Sequence, residues 1–206
     1  MKTLYLSFFT IILFGNLVTA QSQETYFTSY PTLTPDGKTV IFSYEGDLWK
    51  AEIGNPAASR LTAMQGEETS PRVSPDGKWL AFSSNQFGNN DVYLMPLAGG
   101  DIKQLTFHDA NDQVDSWSWD SKSVYFTSNR YNSFSEYKVG VNGGTPTRLF
   151  SNYFNTIHGV VEHPTSGELF FSDTWESYLF ANRKRYKGAY NPDIQSYNPK
   201  TKAYKQ

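Results

Sequence analysis

The side chains here that could do chemistry are a set of acids and three histidines. Asp109, Asp112 and Asp115 follow Leu105-Thr106 at three-residue steps, and Glu67-Glu68 falls where Asn111-Asp112 falls, 44 residues earlier. Carboxylates grouped this way can hold a hard cation together with backbone oxygens, or create a negative field that draws in cationic peptides. The aspartate spacing matches no calcium loop, and a solvated connection is the plainer reading of these acids. His108, His158 and His163 are the candidate bases. His158 and His163 lie five apart around a strand, on opposite faces, which makes a poor metal pair. No Gly-x-Ser-x-Gly elbow is present, so no nucleophile is prepared for a histidine to activate. No catalytic residue, metal ligand or cofactor is assigned. Arg183-Lys184-Arg185 and Lys187 are interleaved with Tyr186 and Gly188, a pattern that suits an ordered insertion over a strand edge better than a phosphate site. A formal charge of −2 over 206 residues gives no field for nucleic acid or an anionic membrane surface.

These residues are positioned by a repeat. Thr34-Pro35-Asp36-Gly37 opens the run Lys38 to Ser43, and Ser74-Pro75-Asp76-Gly77 opens Lys78 to Ser83 in the same way. A third copy is degenerate, Ser118-Trp119-Asp120-Ser121, and a fourth keeps only the strand Leu169-Phe170-Phe171-Ser172. The central residues Phe42, Phe82, Phe126 and Phe171 are 40, 44 and 45 apart. That period, with several short strands per unit, predicts a β-propeller of four-stranded antiparallel blades. In each turn Pro fixes φ, Asp caps with its side chain and Gly takes positive φ. The apolar run after it, such as Leu80-Ala81-Phe82, suits a strand covered on both faces. A third strand starts at Asp47 or Asp91, and Gly99-Gly100 and Gly143-Gly144 make the next hairpins. The outermost strand closes on Arg60-Leu61-Thr62, Gln104-Leu105-Thr106 and Arg148-Leu149-Phe150. Blades are expected at about 26–69, 70–113, 114–157 and 158–206, with Val40, Phe42, Leu80, Phe82, Val124, Phe126, Leu169 and Phe171 buried. The connections between blades would rim the central channel, so Glu67, Glu68, Asp109, Asp112, Asp115 and His158 are the candidate rim residues.

Residues 1–20 read as a signal peptide: Lys2, the apolar stretch Leu4 to Val18, then Val18-Thr19-Ala20. About fifteen apolar-rich residues are short for a membrane span, which needs roughly 20. Cleavage after Ala20 would leave residues 21–206 in the periplasm, on the cell surface or secreted. The chain has no cysteine and no Asn-x-Ser/Thr sequon, which fits a bacterial exported protein held by packing alone. Four units are few for a propeller, and the fourth stops at Lys202 to Gln206 without the Leu-Thr close of the first two. The sequence therefore reads as part of a longer protein or as a module completed by a partner.

The stretch Ser74 to Asn85, with Asp91-Val92-Tyr93 and Gln104-Leu105-Thr106, resembles the TolB-type WD40-like repeat shared by TolB, tricorn proteases and prolyl-oligopeptidase-like enzymes. The fourth unit narrows this. Its third strand begins at Asp193, 22 residues after Phe171, against 5 and 9 in the first two units. The insertion it carries, with Asn182 to Gly188, resembles one in the first propeller of tricorn-type serine peptidases, and Asp47-Leu48-Trp49 is similar to that family's opening. The resemblance covers residues of about 26–206. It implies the non-catalytic propeller of an exported peptidase involved in proteolysis, here an incomplete six-bladed ring that guides or filters peptides. The partners implied are peptides or unfolded polypeptide and the remainder of the peptidase chain, with a homo-oligomer possible in the full-length protein. The nucleophilic Ser and the His of that family lie in later domains, so no position here inherits a catalytic role. Two alternatives stay open: a TolB-like periplasmic propeller that docks a protein partner, and the propeller of a prolyl-oligopeptidase-like hydrolase. A TolB would carry an α/β domain ahead of its first blade.

Overall fold

The computed structural model describes residues 28–151, 156–173 and 194–205. The described residues form four separate antiparallel sheets of four strands, each ordered as the chain runs. The first holds β1 (Ser29–Leu33), β2 (Thr39–Tyr44), β3 (Asp47–Glu52) and β4 (Ala58–Arg60). The second holds β5 (Glu68–Val73), β6 (Trp79–Ser84), β7 (Asp91–Pro96) and β8 (Lys103–Gln104). The third holds β9 (Asp112–Trp117), β10 (Ser123–Ser128), β11 (Ser135–Gly140) and β12 (Thr147–Arg148). The fourth holds β13 (Ile157–Glu162), β14 (Leu169–Asp173), β15 (Ile194–Asn198) and β16 (Ala203–Lys205). The all-β, bladed architecture expected from the repeat is what the chain adopts. The expected insertion lies in 174–193, outside the described residues.

The apolar runs are buried because successive residues face different neighbours. In β6, Leu80 and Phe82 join Ile41 and Leu48 of the first sheet, while Ala81 between them joins Val114 and Phe126 of the third. In β10 the same alternation sends Phe126 back to the second sheet and Tyr125 forward to Leu169 and Phe171 of the fourth. Each sheet is thus glued to the next by side chains that no single sheet could bury. Of the eight side chains expected inside, seven are buried and Val40 is half-buried. Val40 pairs with the exposed Leu33 on the first sheet's outer flank. Among the described residues the sheets pack in chain order, and no strand of the first packs extensively on one of the fourth.

The turn between the first two strands repeats atom for atom. Thr34, Ser74 and Ser118 each donate a hydroxyl to the aspartate two residues on, at 2.6, 2.6 and 2.7 Å. Those aspartates each accept the backbone N–H of Lys38, Lys78 or Lys122 at 3.1 Å. The hydroxyl bond, then the backbone one, holds the carboxyls of Asp36, Asp76 and Asp120 below the usual range. Gly37, Gly77 and Ser121 close the turn at φ +68°, +70° and +59°, so the degenerate copy keeps its geometry at a strained serine. The fourth turn also persists. His163 replaces the hydroxyl residue, its Nδ1 accepting Thr165 N and Ser166 N at 3.2 Å, and Gly167 takes φ +70°. His163-Pro164 was the readable signal, standing where Thr34-Pro35 and Ser74-Pro75 stand.

Gly77→Ala isolates the backbone term. A Cβ there would meet only Pro35 carbons at 3.8 Å, an ordinary contact, so the cost is left-handed strain of about 1–2 kcal/mol. Thermal melting should fall by about 2–8 °C, on the scale of about 2–4 °C per kcal/mol for a chain of this size. An unchanged midpoint would show that the left-handed residue does not hold the turn.

Candidate functional site

Antiparallel order places the connections on two opposite faces. One face carries the Pro-Asp-Gly turns and the glycine hairpins. The other carries the connections between sheets (61–67, 105–111 and the described ends 149–151 and 156 of the third) and the loops from second to third strands, including 85–90 and 129–134. Phe87 and Phe107, at 71% and 77% exposure, belong to this second face. Two exposed aromatic rings on one face offer apolar contact area.

Beneath this face the first two joints share one device. Thr62 Oγ1 accepts Leu48 N at 2.8 Å, and Thr106 Oγ1 accepts Val92 N at 2.9 Å. Thr62 donates to Glu68 Oε2 at 2.8 Å, and Thr106 donates to Asp91 Oδ1 at 2.9 Å. Glu68 is fully buried, and burial is the main cause pushing its carboxyl up to about 7. Thr62 and Ser84 pull it down, while Asp47 adds to the rise. Asp112, also fully buried, is paired with Arg130 Nη2, whose guanidinium lies over the Phe126 and Tyr137 rings at 5.5 and 4.9 Å.

The third sheet departs from this device. Phe150 stands where Thr62 and Thr106 stand, and Glu136 stands where Leu48 and Val92 stand. The backbone register is kept: Leu149 N bonds Glu136 O at 3.0 Å, as Leu61 N and Leu105 N bond Leu48 O and Val92 O at 2.7 Å. An acid has therefore replaced an apolar residue at a site that stays 1% exposed. Burial, then the neighbouring Asp115 charge, pushes the Glu136 carboxyl well above the usual range. Asp115, the bulged residue of β9, accepts Thr127 Oγ1 at 2.5 Å and Gly159 N at 3.4 Å. Burial raises its carboxyl too, while the Thr127 and Gly159 donors and nearby His158 favour its charged form. His158 donates Nδ1–H to Thr156 O at 2.8 Å and lies 5.5 Å from the Phe134 ring centre.

A pocket of about 330 Å³ opens beside this cluster, lined by Asn90, Asn111, Gln113, Thr127, Asn129 and Phe134 among others. Thr127 connects the two, since its hydroxyl bonds Asp115 and lies 3.3 Å from Glu136 Oε2. The innermost strands are stitched together around it: Arg72 Nε donates to Asp115 O at 2.7 Å, and Ser116 Oγ to Val160 O at 2.5 Å.

Of the residues expected at a channel rim, Glu67 and Asp109 are exposed, Glu68, Asp112 and His158 are buried, and Asp115 is partly buried. The structure brings Asp115 and His158 together and separates them from Glu68, which belongs to the previous joint. His108 is exposed and caps its own loop, Nδ1 accepting Ala110 N at 3.0 Å. Glu136 and Arg130 were missed. Glu136 had a signal, Ser135-Glu136-Tyr137 against Asp47-Leu48-Trp49 and Asp91-Val92-Tyr93; the pairing of Arg130 with Asp112, 18 residues away, had none. Among the described residues no group of three metal-ligating side chains is gathered.

Comparison with known proteins agrees with this architecture. A tricorn protease homolog of Streptomyces coelicolor is 35% identical over 89 residues, which span 43% of this chain and 8% of that protein. A TolB-like structure from Agrobacterium tumefaciens superposes with a TM-score of 0.71 at 22% identity, over 87% of this chain and 61% of that one. The tricorn protease crystal structure gives 0.62 at 11% identity, over 86% and 22%. These two likenesses show the fold. The chain thus spans a small part of the curated relative and about three fifths of the first solved one. Residues 25–206 match the family model described as the tricorn protease N-terminal beta propeller domain, and the chain belongs to that family.

Proposed function

We propose that this chain is the propeller module of an exported tricorn-like serine peptidase, and that it guides or filters polypeptide on the way to a catalytic site elsewhere. The observation that carries this is the face where the sheet connections converge. It presents exposed Phe87 and Phe107 beside an uncharged amide pocket, a surface suited to unfolded chain rather than to an ion. In this reading residues 1–20 direct export to the periplasm or cell surface, and 21–206 supply four blades of the ring. The remainder of the peptidase chain is the first partner, and self-association in the full-length protein is compatible with it. Glu67 and Asp109 give the channel mouth its negative rim.

The test uses reduced, alkylated lysozyme as the unfolded polypeptide and a fluorogenic peptide library as the substrate set. The chain is expected to bind the former in anisotropy measurements and to turn over none of the latter, because a propeller contributes access and not bond cleavage. Turnover abolished by mutating a single Ser or His would overturn the reading, as would the absence of any binding.

A further inference from the structure

We infer that the pocket at the joint of the second and third sheets holds the main chain of an extended polypeptide, through amide groups locked with their donors outward. This rests on the polypeptide-guiding reading and names its site. Asn111 Oδ1 accepts Asn90 N at 3.1 Å, and Asn129 Oδ1 accepts Asn111 N at 2.9 Å. Each carbonyl is therefore consumed by the protein's own backbone, which fixes the amide plane and turns its NH2 group away from that bond. Both residues are exposed and both line the pocket. Side-chain donors held this way bind without the rotamer entropy that free asparagines would lose.

The pocket's chemistry selects the ligand. Asn90, Asn111, Gln113 and Asn129 are neutral, and no charged residue is among the lining. Neutral donors and acceptors match the alternating C=O and N–H of a peptide backbone and gain little from a charged side chain. The half-buried Phe134 ring supplies an apolar wall for whichever side chain follows. A glycan would call for carboxylates bonded to paired hydroxyls, and Asp115 and Glu136 lie outside the lining, bonded to Thr127 or buried beside it. At about 330 Å³ the space sits at the lower end of ligand pockets, enough for a short stretch of chain and not for a folded domain.

The same lock also occurs outside the pocket, where Asn85 Oδ1 accepts Glu67 N at 2.7 Å, and this supplies the control. Side-chain amide NMR of the full chain is followed while a capped alternating alanine-glycine octapeptide is added. The Asn111 and Asn129 NH2 signals should shift on binding. Asn111→Asp and Asn129→Asp keep the accepting oxygen but replace the donor with a carboxylate oxygen, and each should weaken the peptide at least tenfold. Asn85→Asp should leave affinity unchanged. Equal affinity in the Asn111 and Asn129 variants, or an equal loss in Asn85→Asp, would overturn the pocket assignment while lysozyme binding kept the broader reading alive. Shifts produced by a linear glucan and not by the octapeptide would overturn the choice of polypeptide. Failure of both octapeptide and unfolded lysozyme to bind would sink the guiding function itself.

Discussion

Phe126→Ala should cost about 3–5 kcal/mol, the range for removing a buried aromatic ring, and should loosen two sheets rather than one. Phe126 is fully buried and stacks on Tyr137 with ring centres 5.7 Å apart. Its cluster takes Ala81, Val92 and Leu94 from the second sheet and Val114, Trp117 and Val139 from the third. The ring also carries Arg130, the guanidinium that neutralises buried Asp112. A loss of that size is a large share of a domain's net stability of about 5–15 kcal/mol, and the melting midpoint should drop by about 6–20 °C. Hydrogen exchange gives the sharper readout. In a stack where each unit is stabilised by its neighbours, protection should fall in β6 and β7 as well as in β9 to β11. Loss confined to the third sheet would show that the sheets fold independently and that the shared cluster is not their glue.

What could be read beforehand was what depends on residues close in sequence. The Ser/Thr-Pro-Asp-Gly turn closes bonds between residues two and five apart, so its four letters dictate it. The apolar triplets were legible for a related reason, since a strand with no polar step must be covered on both sides. The fourth turn was missed because His163 takes the hydroxyl residue's place with different bonds. Its ring nitrogen accepts N–H groups two and three residues on, where Ser74 donates to Asp76 and accepts Trp79 N, so that only Pro164 kept the letter pattern. The candidate site was less legible still. Acids counted along the chain at Glu67, Glu68 and Asp112 looked like one rim, yet Glu68 turns inward to Thr62 and Ser84 while Glu67 stays in solvent. Along a strand adjacent residues point opposite ways, and a connection gives no period from which to tell which one points in. Glu136 shows the converse: it was hidden inside an alternating strand and became conspicuous only beside Leu48 and Val92.

The buried acids make stability depend on pH in a direction opposite to the familiar one, and Glu68 is where this is cleanest. Its folded carboxyl titrates at about 7, against an ordinary value of 4.5, chiefly because of burial. Between those values the folded chain holds a proton that the unfolded chain has released. Stability tied to this group is therefore complete below about 4.5 and is lost as pH rises through about 7. Asp91, Asp115 and Glu136 are raised by burial as well and act with the same sign. Asp36, Asp76 and Asp120 are lowered, so their contribution is lost only in acid, as pH falls below the ordinary aspartate range. The two groups together shift maximum stability to the acid side of neutrality. Glu68→Gln tests this directly. The amide keeps an oxygen for the Thr62 hydroxyl, its NH2 group takes the place of the oxygen that accepts Ser84 Oγ, and the negative charge near Asp47 is gone. At pH 8 the variant should be more stable than the parent, by at most about 3 kcal/mol from the gap between 4.5 and about 7. At pH 4 the two should nearly coincide. Denaturant unfolding at pH 4, 6 and 8 measures the difference, and parallel curves across that window would mean that Glu68 is charged in the folded chain and that the joint stabilises the charge.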